Sequence, residues 1–220
     1  MTPGHVQGEV YGEAVSSIAM VPAREAGWDA VESVFQSEAS ARNCWCQFHV
    51  LTNGDAAQTN RDTRQALLAE QIESLHPPRG LVAFDGDEPV GWCGVEPRTR
   101  LKHVLASRLV AKQSLYPLDD ESVWSIYCIL VPPRQRRRRI GAALLHAAIA
   151  HAAHHGASAL EAYPIDTALR GGVLPPGFST GTVGMFEEEG FQALAALPSG
   201  RTLVHRQLAA DGGTAGDRLT

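Results

Sequence analysis

The sequence lacks any apolar run that approaches the roughly 20 residues needed to span a bilayer. Its first residues also lack the basic and apolar blocks of a signal peptide. Cysteine is scarce as well, since four among 220 residues are too few for a disulfide framework in a chain of this size. We therefore expect a cytoplasmic protein with reduced thiols and no membrane partner.

An excess of positive charge is also missing, because the net charge is -5. A general nucleic-acid binder neutralises phosphates with Lys and Arg, so we expect no nucleic-acid partner, although a basic cluster occurs at residues 134–139. The composition, 44% hydrophobic and 20% charged, is that of a globular protein. We expect one domain over residues 17–209, with flexible tails at 1–16 and 210–220.

Apolar periodicity predicts the elements of the first half of the chain. Residues 15–21 have the composition of a strand, and apolar residues recur at helical spacing over 28–35 and again over 61–75. Two short apolar runs, 80–84 and 89–95, flank a turn that contains Asp-Gly, which is typical of a β-hairpin. The first half therefore predicts one strand, two helices and a hairpin.

The second half contains a strand–helix–strand pattern. Residues 123–131 form a nearly continuous apolar run, 140–155 carry a helical apolar stripe, and 159–163 form another apolar run. Such a unit favours parallel pairing of the two strands with a right-handed crossover. A short helix over 182–189 and two strands within 191–208 complete the prediction.

The most informative segment connects the buried strand to the long helix and reads Val131-Pro-Pro-Arg-Gln-Arg-Arg-Arg-Arg-Ile-Gly-Ala142. A helix start offers free backbone N–H groups and the positive end of the helix dipole, and both favour an anion. Five arginines beside it would strengthen capture of a phosphate or pyrophosphate. A solvated basic loop before an ordinary helix explains the same pattern, and the loop alone does not decide between them.

This segment, together with Met185-Phe-Glu-Glu-Glu-Gly-Phe191 and the order of the surrounding elements, resembles the GNAT superfamily of acyl-CoA-dependent N-acyltransferases over residues 15–208. The resemblance implies a mixed α/β (α+β) fold with a mostly antiparallel central sheet, one parallel strand–helix–strand unit and flanking helices. It also implies acetyl-CoA as co-substrate, a primary amine of a small molecule or protein as acceptor, and a homodimer as a possible assembly. Cys44-Trp45-Cys46 looks like a feature of an actinobacterial-style subgroup.

The resemblance assigns the cofactor site position by position. In the family, the loop before the long helix cradles the pyrophosphate, and the backbone of the preceding strand binds the pantetheine arm and the thioester. The matching positions are Ile129, Leu130, Val131, Arg136, Arg137, Arg138, Arg139, Ile140, Gly141, Ala142, Ser179 and Phe186. The first glycine of the family loop is replaced by Arg139, so we expect a near-helical backbone at that residue.

The usual acid and base of the family are missing from the matching positions. Phe186 replaces the tyrosine that often protonates the thiolate, Ser179 replaces an asparagine, and Ser125 replaces a glutamate base. Positioning alone can supply about 7–11 kcal/mol, whereas acid or base help supplies roughly 3–5 kcal/mol. We therefore predict direct attack of a neutral amine on the thioester, with the oxyanion held by a backbone N–H near Ile129. A non-catalytic acyl-CoA sensor is the alternative.

The strand positions of other polar residues indicate which of them could replace the missing acid and base. Period-two alternation places Tyr127 on the strand face of Ser125 and Ile129, and Tyr163 lies on the neighbouring strand. Tyr127 and Tyr163 are candidate acids, Glu161 is a candidate base, and Ser125 is a fourth candidate catalytic residue. Ordinary buried aromatics and a strand-edge carboxylate explain the same Tyr and Glu residues. We assign the acceptor pocket to Trp45, Phe48 and Trp124. Cys44, Cys46 and His49 could suggest zinc, but no second ligand pair is evident, so we expect no metal.

Overall fold

The computed structural model describes residues 18–173, 179–198 and 200–208. Seven strands form one sheet in the order β1-β2-β3-β4-β5-β7-β6, and every neighbouring pair is antiparallel except β4 and β5. The predicted fold class is thereby confirmed. The strands are β1 (Ile18–Pro22), β2 (Leu81–Asp85), β3 (Glu88–Pro97), β4 (Val123–Leu130), β5 (Ala159–Ala162), β6 (Gln192–Leu197) and β7 (Arg201–Gln207).

Nine α-helices surround this sheet in the described part of the chain. They are α1 (Ala23–Ala26), α2 (Trp28–Gln36), α3 (Ala39–Cys44), α4 (Asn53–Ala57), α5 (Arg61–Ser74), α6 (Lys102–Leu105), α7 (Arg108–Gln113), α8 (Ile140–His154) and α9 (Val183–Glu188). The sequence predicted α2, α5, α8 and α9 to within about one residue at each end. It missed the other five because segments of four to six residues are too short to display a helical period.

The sheet separates two apolar layers. On one face α8 buries the predicted stripe, including Leu144, Leu145 and Ala148, against β3 and β4. A Cβ added to Gly91 of β3 would lie 2.9 Å from Leu144 Cδ1, so glycine allows this close approach of helix and strand. The helices α1 to α3 and α5 to α7 cover the other face over a core that includes Phe35, Leu68 and Trp92.

A β-bulge in β4 decides which side chains face each layer. Gly94 pairs with Cys128 and its neighbour Val95 pairs with Ile126, so Tyr127 is an extra residue in β4. Tyr127 and Cys128 consequently both face the layer under α2, whereas Ile129 packs in the layer under α8. The prediction that Ile129 shares a face with Tyr127 is wrong, because one inserted residue reverses the alternation beyond the bulge.

Two further expectations can be compared with the described residues. No helix within them is long and apolar enough to cross a membrane. The predicted tails at 1–16 and 210–220 lie outside the described residues, as do residues 17 and 209. The single domain over 17–209 stays a prediction.

Candidate active site

A cavity of about 220 Å³ lies on the face of the sheet that α2 and α3 cover. The parallel pairing of β4 with β5 ends at Ile126 and Ala162, and the β4 residues that line the cavity follow this point. The cavity therefore lies where the two strands part. Its wall consists of Phe35, Ser40, Ala41, Cys44, Cys46, Phe48, His49, Tyr127, Cys128, Leu130, Ser179, Thr180 and Arg201.

The chain before α9 crosses the gap between β4 and β5. The Ile129 N–H donates a hydrogen bond to the Ser179 carbonyl at 2.5 Å, and the Ile165 N–H donates to the Gly181 carbonyl at 3.0 Å. The predicted oxyanion donor at Ile129 is therefore bonded to the protein's own chain in this structure. A ligand carbonyl could accept a hydrogen bond from the Ile129 N–H only by displacing the Ser179 carbonyl.

The basic loop has an unusual backbone. Arg137 and Arg139 have φ angles of 64° and 60°, which lie in the left-handed region that favours glycine. The expected near-helical backbone at Arg139 is wrong, because the chain turns through the left-handed region before α8 begins. Arg136 pairs with Glu38 at 2.7 Å and Arg138 pairs with Asp85 at 2.6 Å, whereas the Arg137 and Arg139 side chains are exposed.

We expect the substitution Arg139→Gly to raise the free energy of unfolding by about 0.5–1 kcal/mol. Relief of the left-handed conformation is worth about 1–2 kcal/mol, and the greater freedom of glycine in the unfolded chain offsets part of it. The measurement is chemical denaturation. Arg136→Gly is the control, because Arg136 has a φ of −64° and glycine should destabilise there. A loss of stability in Arg139→Gly would contradict the prediction.

Gly141 lies in the first turn of α8, where the fold itself leaves room for a side chain. A Cβ at this position would meet Ile129 Cγ2 at 3.7 Å and Met185 Sδ at 3.8 Å, which are ordinary contacts. The helical conformation needs no glycine, which is about 0.5–1 kcal/mol less favourable than alanine in a helix. Packing within the protein therefore does not require glycine at position 141.

Tyr127, the predicted acid on the cavity wall, belongs to a buried polar network. Its hydroxyl donates to Glu96 Oε1 at 2.8 Å and accepts from Arg79 Nε at 2.8 Å, while Arg79 and Glu96 are 3.1 Å apart. Arg79 also donates to the Cys46 carbonyl at 3.2 Å. Burial raises the pKa of the Tyr127 phenol well above its usual value, and the Arg79 charge offsets only part of this. The phenol stays protonated, and its proton is directed to Glu96.

The other three predicted catalytic groups do not line the cavity. Glu161 is fully buried, pairs with Arg98 at 2.8 Å and accepts from Ser114 Oγ at 2.6 Å. The Tyr163 hydroxyl lies 3.4 Å from Ser125 Oγ, and burial raises the pKa of that phenol. Glu161 therefore has the surroundings of a structural ion pair.

Three of the four cysteines share the cavity wall, and all four are free thiols. Cys46 accepts a hydrogen bond from Trp92 Nε1 at 3.4 Å. Burial alone would raise the pKa of the Cys46 thiol, but its hydrogen bond with Cys128 and the charge of Arg79 lower it. Within the described ranges, no group of three or more His, Cys, Asp or Glu side chains is placed to hold a metal ion.

Of the three residues assigned to the acceptor pocket, Phe48 lines the cavity and is 57% exposed. The Trp45 ring is fully buried and stacks on Phe35 at 5.2 Å. Trp124 faces the layer under α8 and stacks on His155 at 5.8 Å. Neither tryptophan is part of the cavity wall.

The positions assigned to the cofactor are divided between the cavity wall and the region around the start of α8. Leu130 and Ser179 line the cavity, whereas Ile140 and Phe186 are buried in the layer under α8, where Phe186 packs edge-on against Phe191 at 5.0 Å. Ile129 lies in β4 and packs in the same layer, and the remaining positions follow β4 or begin α8. The Val131 carbonyl accepts a hydrogen bond from Arg136 Nε. The cavity and the helix start are thus connected by the end of β4.

Sequence reasoning missed four charged residues that shape this region, namely Arg79, Glu96, Arg98 and Arg201. The first three are at most 1% exposed. Their only signal in the sequence is position, because Arg79 precedes one apolar strand, Glu96 lies near the end of another and Arg98 follows it. Their partners are up to 63 residues away, so a local pattern does not reveal the pairs.

Residues 41–169 match the model of the Acetyltransferase (GNAT) family. The chain belongs to this family. It is an acetyltransferase, as the resemblance in the sequence implied. No curated protein sequence matches it. The subgroup suggested by Cys44-Trp45-Cys46 stays a prediction.

Solved structures share the fold. A GCN5-related N-acetyltransferase from Kribbella flavida has a TM-score of 0.54 at 19% identity over 87% of this chain and 98% of that one. The yncA protein of Salmonella typhimurium, solved with acetyl-CoA, has a TM-score of 0.53 at 15% identity over 93% and 100%. The PaiA N-acetyltransferase of Thermoplasma acidophilum, solved with coenzyme A, has 0.51 at 12% over 87% and 99%.

Proposed function

We propose that the protein transfers an acetyl or other short acyl group from acyl-CoA to a primary amine of a small molecule or a protein. The observation that carries this proposal is the path of the chain, because the end of β4 leads from the cavity at the parting of β4 and β5 to the start of α8, where packing does not require the glycine at position 141. A long ligand with an anionic end and a reactive end fits this arrangement.

The residues present suit acyl-CoA. Backbone N–H groups over residues 137–142 and the exposed Arg137 and Arg139 side chains would hold the pyrophosphate. Backbone groups of residues 129–131 would bind the pantetheine arm, with the Ile129 N–H exchanging its Ser179 partner for a ligand carbonyl. Bound in this way, acyl-CoA supplies a thioester to the cavity.

The chemistry we propose is direct attack of a neutral amine without a dedicated acid. A thiol with a pKa of about 8.5 is a tolerable leaving group, and positioning in a cavity lined by Phe35 and Leu130 supplies most of the acceleration. Tyr127 is the one predicted acid on the cavity wall, but its proton is engaged by Glu96. We assign Tyr127 the role of a positioning residue.

Replacing Tyr127 by Phe tests this role. We expect the rate of thiol release to fall less than about tenfold, whereas loss of a general acid costs about 10²–10⁴-fold. Stability should fall by about 1–3 kcal/mol because the buried Arg79 and Glu96 lose a hydrogen-bond partner. Tyr163→Phe is the matched comparison away from the cavity. A 100-fold loss in Tyr127→Phe alone, in folded protein, would identify Tyr127 as the acid.

The proposed function itself is tested by calorimetry with acetyl-CoA, followed by measurement of thiol release with a panel of primary amines. We expect saturable binding and release that depends on the amine. Saturable binding without release on any amine favours a non-catalytic acyl-CoA sensor. Failure of well-folded protein to bind acetyl-CoA overturns the assignment of the site.

A further inference from the structure

Arg201 contributes the only guanidinium among the described residues of the cavity wall, and no Asp or Glu belongs to that wall. The residue begins β7 and is partly buried. Its Nη1 donates to the Tyr163 carbonyl at 2.9 Å and to Thr180 Oγ1 at 2.7 Å, which holds the guanidinium in place. In residues 18–173, 179–198 and 200–208, no group accepts a hydrogen bond from its Nε or Nη2.

The two other buried arginines near the site each have a carboxylate partner, which Arg201 lacks among the described residues. Arg79 has the Glu96 carboxylate at 3.1 Å, and Arg98 has the Glu161 carboxylate at 2.8 Å. No carboxylate of the described chain lies within 4 Å of Arg201 in this way. The fold therefore supplies an anion to the two arginines that face the protein interior and none to the arginine that faces the cavity.

The surroundings of Arg201 disfavour its positive charge. Burial and the nearby charge of Arg170 lower the pKa of Arg201, so its cationic form is destabilised. Burial, with the charges of Arg201 and His103, lowers the pKa of the neighbouring His49 to about 3, so His49 is neutral at pH 7 and adds no second positive charge beside Arg201. A partly buried cation without a counter-ion is costly, and a bound anion relieves that cost.

We propose that Arg201 binds a carboxylate of the ligand that enters this cavity. The planar guanidinium, with Nη1 fixed and Nε and Nη2 available, suits the two oxygens of a carboxylate. The aromatic wall of Phe35, Phe48 and His49 suits an apolar or aromatic body beside the charged group. The inference rests on the proposed acyl transfer, and the carboxylate belongs either to an amino-acid-like acceptor or to a dicarboxylic acyl group.

The first experiment measures binding without turnover. The probes are two matched pairs, phenylacetate with phenylacetamide and L-phenylalanine with L-phenylalaninamide, titrated into the full chain by calorimetry with and without CoA. We expect the carboxylate to bind at least about tenfold more tightly than its amide, because a hydrogen bond to a charged group contributes about 1.5–3 kcal/mol. Absence of this preference in every pair, including weak binding of both members, overturns the proposal.

Variants assign the preference to Arg201. In Arg201→Gln the ratio of carboxylate to amide affinity should fall to near one, and in Arg201→Lys part of it should remain because the charge is kept. Arg206→Gln is the control, since Arg206 lies on the same strand but pairs with Glu189 outside the cavity wall. Thermal unfolding verifies that each variant is folded. An unchanged ratio in folded Arg201→Gln contradicts the proposal.

Two further arms separate the sources of the carboxylate. Thiol release is compared for acetyl-CoA with L-phenylalanine and for succinyl-CoA with phenethylamine. A loss in Arg201→Gln confined to the first reaction places the carboxylate on the acceptor, and a loss confined to the second places it on the acyl group. Acetyl-CoA binding and amine-dependent thiol release by the native protein are measured separately. Failure of the proposed function abolishes one or both of them, whereas failure of the inference leaves both intact and removes only the preference for a carboxylate.

Discussion

Glu161→Gln should destabilise the protein by about 3–5 kcal/mol. The Glu161 and Arg98 side chains are both fully buried and 2.8 Å apart, so the substitution leaves an uncompensated buried cation. The amide also loses charge-assisted hydrogen bonds to Arg98 and Ser114. Chemical denaturation measures the loss, which is a large part of the stability of a typical domain.

Two controls make this prediction specific. Glu38→Gln breaks the ion pair with Arg136, whose side chain is 43% exposed, and should cost at most about 1 kcal/mol. The double variant Arg98→Met/Glu161→Leu removes both charges and should recover much of the loss, because a buried pair replaced by apolar groups is often neutral. If Glu161→Gln keeps the stability of the native protein but abolishes thiol release, Glu161 is a catalytic base and the structural role is wrong.

Gly141→Ala should weaken acetyl-CoA binding by about 10- to 100-fold while leaving the protein as stable as before or slightly more so. The added Cβ lies at the start of α8, where we propose that the pyrophosphate approaches the backbone. Loss or lengthening of one hydrogen bond to a charged group costs about 1.5–3 kcal/mol. The protein side is not disturbed, because the nearest atom would be 3.7 Å away.

The matched control is Gly184→Ala in α9, where a Cβ would meet nothing within 4 Å. Both substitutions improve helix propensity by about 0.5–1 kcal/mol, so both variants should unfold at equal or higher denaturant concentrations. Calorimetry with acetyl-CoA should distinguish them, with a loss of affinity only in Gly141→Ala. Equal affinities in the two variants would place the pyrophosphate elsewhere.

The sequence predicted the elements whose pattern is long or continuous. The apolar run of β4 and the stripe of α8 identify a buried strand and its crossover helix directly. Gly141, in the first turn of α8, matches a glycine of the family motif, and from this match we predict that a ligand binds there. These features depend on residues that are close in the sequence, so a single sequence displays them.

The cavity could not be predicted in the same way. The bulge at Tyr127 depends on how β3 and β4 pair, and it moved Ile129 to the other face. Arg201 reaches the wall only because β7 runs beside β5, and no pattern around Arg201 shows this. Trp45 resembles a ligand-binding aromatic in the sequence, yet it completes the core beneath the cavity.

The bulge also bears on how this cavity can change in evolution. A regular strand turns only every second side chain toward a bound molecule, whereas β4 presents two consecutive ones, Tyr127 and Cys128. Their neighbours Ile126 and Ile129 both contribute to the opposite hydrophobic layer. Substitutions at these two adjacent positions would therefore change the width of the cavity, and under the proposed function its range of acceptors, without altering the packing beneath α8.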